Sequence, residues 1–252
     1  MQPLFSRKAD RQNSCIAHGI FTSHNLFANV WSKCPVCSSE QKKADIAAQL
    51  RQEVIKRGAE WRRKLCMAAI PERFAGRTLD TYRADNDGQK RALSFCRTYV
   101  AQFDEVLKTG RSAIFCGKPG TGKTHMANGI AIEIMKTGKL ALFITAQRAI
   151  RRIKDSWAKD SVESESDVIR LLVSPDLLIL DEIGVQFGTE FERNLLFDVL
   201  NERYEKRLPC LLLSNFSADE IRPILGDRIF DRLREDGGKC IVFDWESGRG
   251  KL

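Results

Sequence analysis

The chain has 252 residues, 43% of them hydrophobic, so it is long enough to bury the core of one domain, with or without an appendage. Its formal charge of +8 is uneven, because residues 1–70 hold 12 basic and 5 acidic side chains whereas residues 71–252 hold 29 and 28. The sequence has no apolar run near the roughly 20 residues of a membrane span and no signal peptide at residues 1–10, so we expect a cytoplasmic protein without a membrane partner.

Three of the eight cysteines lie near the N-terminus beside a histidine. Two short pairs separated by a loop of fifteen residues match a closed structural zinc site, in which each pair occupies one edge of the tetrahedron. The predicted ligands are Cys15, His18, Cys34 and Cys37, and His24 is a competing fourth ligand. Such a site stabilises the fold and takes no part in catalysis. The other cysteines are predicted to be reduced thiols used as small hydrophobic residues: Cys66, Cys96, Cys116, Cys210 and Cys240.

Residues 39–69 predict a long amphipathic helix that ends at Pro71, because apolar residues recur at steps of three and four. One face of this helix is basic. Its members are Arg51, Lys56, Arg57, Arg62, Arg63 and Lys64. The face is either solvated or docks onto a partner protein or a nucleic acid, and composition does not distinguish these alternatives.

A P-loop follows the short apolar strand predicted over residues 112–116 and precedes a helix over residues 125–136. Strand, glycine-rich loop and helix are the context in which backbone amides converge on phosphates. We expect Lys123 to contact the β- and γ-phosphates and the Thr124 hydroxyl to bind Mg²⁺. The predicted nucleotide-binding residues are Gly117, Lys118, Pro119, Gly120, Thr121, Gly122, Lys123, Thr124 and His125.

Two further apolar strands end in polar residues. Residues 177–180 precede Asp181, which fits the acid that organises Mg²⁺, and Glu182, which fits the base that orients or activates the attacking water. The strand over residues 210–214 ends at Asn215, which is expected to contact that water or the γ-phosphate. The glutamate directly after the aspartate favours ATP hydrolysis over nucleotide sensing alone.

A helix is predicted over residues 225–234, with Arg228 and Arg232 on one face. A guanidinium delivered to the γ-phosphate of a neighbouring subunit would stabilise the charge of the transition state. The alternative is ion pairing on the helix surface with Asp227, Asp231 or Glu235. Only a final strand over residues 240–245 follows, so no C-terminal lid domain is expected.

The order of these motifs resembles the AAA+ superfamily and, more closely, the DnaC-like helicase loaders. The shared blocks are residues 117–124 (GKPGTGKT), 177–186 (LLILDEIGVQ), 225–234 (LGDRIFDRLR) and 242–247 (VFDWES), with Arg73, Phe74, Thr78, Leu79 and Tyr82 before them. The resemblance covers roughly residues 70–250 and implies an α/β fold with a parallel sheet flanked by helices. It divides the chain into a zinc-binding and helical docking region, residues 1–70, and an ATPase domain, residues 71–252. The Cys/His cluster departs from the cellular loader and is similar to the zinc-bearing type of phage and prophage genes.

The resemblance implies a function that depends on ATP, Mg²⁺ and, in the N-terminal region, Zn²⁺. A loader binds a DnaB-type replicative helicase through its N-terminal region, assembles as a homo-oligomer when ATP is bound, and engages single-stranded DNA, with slow ATP hydrolysis stimulated by DNA or the partner. The family contacts DNA through the helix after the second strand, here residues 146–157. The basic residues are Arg148, Arg151, Arg152 and Lys154, and the alternative is a solvated face. Residues 161–167 are predicted to form a loop.

Two other functions are compatible with the same motifs. One is an accessory ATPase of transposition similar to IstB, which acts with a transposase instead of a helicase. The other is a zinc-containing DNA-binding adaptor whose ATP site serves only as a conformational switch.

Overall fold

The structure is a computed structural model that describes residues 10–27, 30–68, 74, 76–184 and 189–248, with the backbone alone for residue 27 and residues 53–68. The predicted helix end at Pro71, and Arg73, Val185 and Gln186 of the shared blocks, lie outside the described residues. The chain forms two compact units, Met1–Trp61 and Arg62–Leu252. The predicted boundary at residues 70 and 71 also lies outside the described residues and stays a prediction. None of the described helices is both long enough and apolar enough to cross a membrane.

The first unit begins with three antiparallel strands, which are β1 (Asp10–Cys15), β2 (Gly19–Phe27) and β3 (Val30–Trp31). These strands were not predicted because β1 is polar and exposed and carries no alternation of apolar residues. Helix α1 (Pro35–Ala68) follows. It starts four residues before the predicted Ser39, because proline is favoured in the first turn of a helix.

Only part of the predicted basic face of α1 is described. Arg51 is exposed, and the side chains of the other five basic residues lie outside the description. On the same helix Ile46 and Leu50 are each 56% exposed, although they are spaced four residues apart as an apolar stripe requires. Docking by this helix therefore stays a prediction.

The second unit is a five-stranded parallel sheet with helices on both faces, which confirms the predicted α/β fold. Its strands are β4 (Ala113–Gly117), β5 (Ala141–Thr145), β6 (Leu177–Asp181), β7 (Cys210–Leu213) and β8 (Lys239–Phe243), in the order β5-β6-β7-β4-β8. Its helices are α2 (Asp87–Ala101), α3 (Phe103–Thr109), α4 (Lys123–Lys136), α5 (Ala146–Asp155), α6 (Glu165–Val173), α7 (Glu190–Glu205), α8 (Ala218–Leu225) and α9 (Asp227–Arg232). Helices α2 to α4 cover one face of the sheet, and α5 to α9 cover the other.

The core consists of two apolar layers separated by the sheet. Alternate residues of each strand face opposite sides, so Ile114 packs with α5 to α9 while Phe115 packs with α2 to α4. Strands buried on both faces are apolar where they are buried, as in β7 and in β6 up to Leu180. Cys96, Cys116 and Cys210 are buried in these layers and Cys240 is half-buried, all four as free thiols, as predicted.

Two predicted boundaries were wrong. The loop predicted over residues 161–167 ends early, because Ser164 and Asp167 form a reciprocal capping box that starts α6 at Glu165. The helix predicted over residues 225–234 is shorter and corresponds to α9, because Gly226, with φ of 79°, separates α9 from α8, which ends at Leu225.

Arg203 on α7 is fully buried between α6 and β7. Its guanidinium donates to carbonyl oxygens at 2.8–3.1 Å and to the sulfur of Cys210 at 3.3 Å. The carbonyls belong to Leu172, Val173, Pro175 and Pro209. Leu172 and Val173 lie in the last turn of α6, where carbonyls have no partner within the helix. The buried guanidinium therefore supplies hydrogen-bond donors to the carbonyls at the end of α6 and in the chain that leads into β7.

Candidate functional site

The predicted catalytic residues of the P-loop, β6 and β7 lie at one edge of the parallel sheet. Strand β7 pairs with β4 on one side and with β6 on the other, so the carboxyl ends of all three strands lie side by side. These ends carry the P-loop, the pair Asp181–Glu182, and Asn215. In open parallel sheets, ligands bind outside this edge. The structure therefore places together the groups that the sequence assigns to nucleotide, Mg²⁺ and water.

The P-loop, residues 117–124, wraps around the side chain of Lys123. Lys123 is 6% exposed, and its Nζ donates hydrogen bonds of 2.7 Å to the carbonyls of Gly117 and Lys118. Gly122 precedes α4 with φ of 100°, and a Cβ there would lie 2.4 Å from a ring carbon of Tyr82. Only glycine fits, so the loop can turn sharply and present the first N–H groups of α4 to an anion.

The outer side of the P-loop is held by residues that are distant in sequence. The carbonyl of Thr121 accepts hydrogen bonds from the Tyr82 hydroxyl at 3.0 Å and from the Trp245 indole N–H at 2.9 Å. The carbonyl of Gly120 accepts one from the N–H of Gly248 at 3.0 Å. Sequence reasoning assigned no role to these residues, although Tyr82 and Trp245 lie in the blocks that carry the family resemblance. They fix the loop through its carbonyl oxygens and occupy none of its N–H groups.

Thr124 and Asp181, the predicted Mg²⁺ ligands, are hydrogen-bonded to each other. The Thr124 hydroxyl donates to Asp181 Oδ2 at 3.0 Å, and the N–H of Glu182 donates to Asp181 Oδ1 at 2.7 Å. Burial raises the pKa of Asp181, and these two hydrogen bonds oppose the rise. A hydroxyl and a carboxylate beside a phosphate-binding loop are the hard oxygen ligands that Mg²⁺ prefers, so the donor set fits this ion.

Glu182 and Asn215 are exposed at the tips of β6 and β7. Glu182 has φ of 60°, in the left-handed region that residues other than glycine seldom adopt. The N–H of the next residue, Ile183, donates to the carbonyl of Leu213 at 2.9 Å, which fixes the chain directly after Glu182. Both polar side chains are therefore accessible beside the P-loop.

The side chain of His125, a predicted nucleotide contact, faces the segment before α2. Its Nε2 lies 2.8 Å from the Thr78 carbonyl and 3.2 Å from the Thr81 hydroxyl, and its ring meets Tyr82 edge to face. Burial lowers the pKa of His125. The structure thus uses this imidazole to hold the segment before α2 against α4.

The two predicted trans-acting arginines differ in their surroundings. Arg232 donates to the side chain of Asn201 and lies over the ring of Tyr204 at 4.5 Å. Arg228 is exposed, with its guanidinium 5.9 Å from the ring of Phe197. Asp227 and Asp231, the alternative partners considered for these arginines, instead pair with Arg222, at 2.6 and 3.8 Å. Arg228 is the more accessible of the two.

The four basic residues of α5 are also divided by their partners. Arg152 makes a bidentate pair with Glu163 at 2.9 and 2.6 Å, and Lys154 pairs with Glu192 at 2.9 Å. Arg148 and Arg151 are exposed and form no ion pair within the described part of the chain. The acids lie 11 and 38 residues further along, too distant for helix spacing to reveal them.

An aromatic pair lies just beyond α5 and was not singled out from the sequence. Trp157 is 43% exposed and Phe191, on α7, is 53% exposed, with ring centroids 5.6 Å apart. The Trp157 indole N–H donates to Glu165 at 2.6 Å, which orients the ring. Large aromatic side chains on a surface are typical of contacts with a partner or with unpaired bases.

The first unit gathers the four predicted zinc ligands. The ligand atoms of Cys15, His18, Cys34 and Cys37 all lie within 4.8 Å of one another. The Cys37 sulfur lies 3.2 Å from His18 Nδ1 and 3.5 Å from the Cys15 sulfur. A hydrogen bond from the Ala17 backbone, with a smaller contribution from His18, lowers the pKa of Cys15 to about 6, whereas the hydrogen bond with Cys15 raises the pKa of Cys37 to about 11, so the metal-binding thiolate is favoured at Cys15. His24, the competing ligand, instead pairs with Asp10 at 2.6 Å.

The sheet order, the P-loop and the acids at the end of β6 define a P-loop AAA+ domain of the ATP-binding type. The model of the family described as IstB-like ATP binding protein matches residues 38–236, more than three quarters of the chain. The chain therefore belongs to the IstB/DnaC family of AAA+ ATP-binding proteins.

Among its relatives is the replicative helicase loader DnaC of Escherichia coli strain K12, which is 35% identical over 175 residues, or 69% of this chain and 70% of that protein. The solved structure of the DnaC helicase loader matches 69% of this chain and all of that chain at 23% identity, with a TM-score of 0.62. The crystal structure of DnaI matches 71% of this chain and 94% of that chain at 21% identity, with a TM-score of 0.58. The two structural matches support the fold.

Proposed function

We propose that this chain is an ATPase that loads a DnaB-type replicative helicase onto single-stranded DNA. The carrying observation is the convergence of Lys123, Asp181, Glu182 and Asn215 at one sheet edge, in a chain 35% identical to a protein named replicative helicase loader. The amides of the P-loop and Lys123 would hold the ATP phosphates. Thr124 and Asp181 would hold Mg²⁺, which supplies charge neutralisation when bound. Glu182 would accept a proton from the attacking water, and Asn215 would orient that water.

A pull-down with a replicative helicase tests the loading function. The full-length chain, with ATP and Mg²⁺, is expected to retain the helicase, and a chain that starts at Ala69 is expected to lose it, because the proposed docking region is residues 1–70. The truncated chain must still bind ATP for this comparison to count. If the full-length chain retains a transposase and no helicase, the IstB-like alternative replaces this proposal.

We expect Arg228 to be the arginine that acts on the ATP of a neighbouring subunit. Arg228→Ala is expected to reduce ATPase activity by about 10³-fold or more, because a trans arginine stabilises charge only in the transition state. Arg232→Ala should act mainly on stability, since Arg232 contacts Asn201 and Tyr204 of its own chain. Mixing Arg228→Ala with a Lys123→Ala chain should restore part of the activity. If no ratio of the two variants hydrolyses ATP, Arg228 does not act in trans.

For single-stranded DNA we propose contacts from Arg148 and Arg151 with stacking on Trp157. Trp157→Ala is expected to weaken binding of an unstructured oligonucleotide by about 1–3 kcal/mol, the range for one lost base stack. Arg148→Ala should lower the salt dependence of binding by about one unit of slope. Arg170→Ala is the control, because Arg170 is exposed on α6 but paired with Asp167. If all three variants and the native chain bind the oligonucleotide with equal affinity in a titration, the proposed contacts are wrong.

We propose that the cluster of three cysteines and His18 binds one Zn²⁺, which stabilises the first unit. Metal analysis of the purified protein should give about one equivalent of zinc per chain. Cys34→Ser should lose the zinc and the cooperative unfolding of the N-terminal unit, because structural zinc sites contribute folding free energy directly. Cys240→Ser, which lies outside the cluster, should keep both. A metal-free protein with an unchanged N-terminal unit contradicts the proposal.

A further inference from the structure

Ser214 lies between the two polar loops that follow β6 and β7. Its side chain is 1% exposed. Its hydroxyl donates a hydrogen bond of 2.7 Å to the carbonyl of Ile183 and accepts one of 3.2 Å from the N–H of Phe216. One buried hydroxyl thus connects the residue after Glu182 with the residue after Asn215.

The hydrogen bond from Ser214 to Ile183 stabilises an unfavourable backbone conformation at Glu182. The left-handed φ of 60° at Glu182 is unfavourable for a residue with a Cβ and persists only where the flanking chain is fixed. The next residue, Ile183, is fixed on both sides, because its N–H donates to the carbonyl of Leu213 and its carbonyl accepts from the Ser214 hydroxyl. Loss of the Ser214 hydroxyl would remove one of these two supports.

Ser214 is also connected to the P-loop. The Ser214 N–H donates to the carbonyl of Phe115 at 2.9 Å, and the carbonyl of Phe216 accepts from the N–H of Gly117 at 2.8 Å. A continuous path of hydrogen bonds therefore runs from the chain beside Glu182, through Ser214 and Phe216, to the first residue of the P-loop.

We propose that Ser214 is a positioning residue for ATP hydrolysis, whose hydroxyl holds the Glu182 carboxylate and the Asn215 amide in register with the P-loop. A buried hydroxyl at this place acts through the backbone and not by contact with the nucleotide. The inference rests on the proposed hydrolysis of ATP by Glu182. Its effect falls on the chemical step, because the bonds that join this segment to the P-loop are made by backbone groups, which remain when the hydroxyl is lost.

The experiment compares Ser214→Ala with Ser214→Thr in the full-length chain. We expect Ser214→Ala to lower kcat about 10- to 100-fold, as small misplacements of a catalytic group do, with KM and the Kd for ATP within about twofold of the native values. Ser214→Thr keeps the hydroxyl and should recover most of kcat. Ser112→Ala is the matched control, because Ser112 is a buried serine whose hydroxyl bridges Gly110 and Cys210 at the opposite end of the sheet. Its kcat should equal that of the native chain.

A double-mutant cycle separates positioning from stability. In a Glu182→Gln background, where no carboxylate remains to be positioned, Ser214→Ala should lower the single-turnover rate less than it does in the native background, and the loss that remains is the part that acts through Asn215. A native kcat in Ser214→Ala, or an equal loss of rate in both backgrounds, overturns the role of Ser214. If Glu182→Gln itself hydrolyses ATP at the native rate, the proposed catalytic function is wrong instead, so the two failures are distinguishable.

Discussion

Replacing Lys123 by alanine is expected to weaken ATP binding by about 2–5 kcal/mol, or roughly 30- to 4,000-fold in Kd. The Lys123 ammonium is buried inside the P-loop and bonded to the carbonyls of Gly117 and Lys118, so it is held where phosphate charge would lie. No other lysine of this loop is buried. The measurement is a calorimetric or fluorescence titration with ATP and Mg²⁺.

Lys136→Ala is the matched control for Lys123→Ala. Lys136 belongs to the same helix, but it lies outside the predicted site, and its side chain is exposed and paired with Glu133. Exposed charges contribute little, so its Kd for ATP should stay within about threefold of the native value. Circular dichroism of both variants checks that each substitution leaves the fold intact. If a folded Lys123→Ala chain binds ATP as tightly as the Lys136→Ala chain, the assignment of the nucleotide site is wrong.

Arg203→Met is expected to lower the free energy of unfolding by about 3–5 kcal/mol, although Arg203 touches neither the P-loop nor the acids of β6. Methionine fills much of the volume but leaves the carbonyls at the end of α6 and before β7 buried without donors. Arg203→Lys should also be destabilising, because an ammonium cannot reproduce the planar fork of donors.

Urea unfolding of full-length protein measures the Arg203 effect. Arg193→Met is the control, since Arg193 is exposed on the same helix and should shift the free energy of unfolding by no more than about 0.5 kcal/mol. Equal transition midpoints for the two variants would show that the buried guanidinium contributes nothing to stability. ATP affinity of the folded Arg203→Met chain should remain native-like.

The nucleotide site could be predicted because its signals are local. The spacing of the P-loop glycines and Lys123, and the run of apolar residues before Asp181, each encode an element and its chemistry in under ten residues. The structure then brings these separate segments to one sheet edge, as the alternation of strands and helices requires.

The parts that could not be predicted depend on contacts between distant residues. The polar strand β1 carries no periodic pattern, and its pairing with β2 becomes visible only in three dimensions. Arg152, a predicted DNA contact, pairs with Glu163, and the sequence does not reveal that its guanidinium already has a partner. In the sequence Ser214 is only the last residue of an apolar strand, because a hydroxyl that bridges two loops has no sequence signature of its own.

The anchoring of Thr121 by Tyr82 and Trp245 has a consequence for the order in which the protein matures during synthesis. The P-loop is synthesised more than 100 residues before Trp245 and before strand β8, which pairs with β4. A nascent chain that stops short of Trp245 therefore contains every predicted phosphate-binding residue and still lacks one of the two groups that fix the Thr121 carbonyl. We therefore expect full nucleotide affinity only after Trp245 has been made and β8 has joined the edge of the sheet.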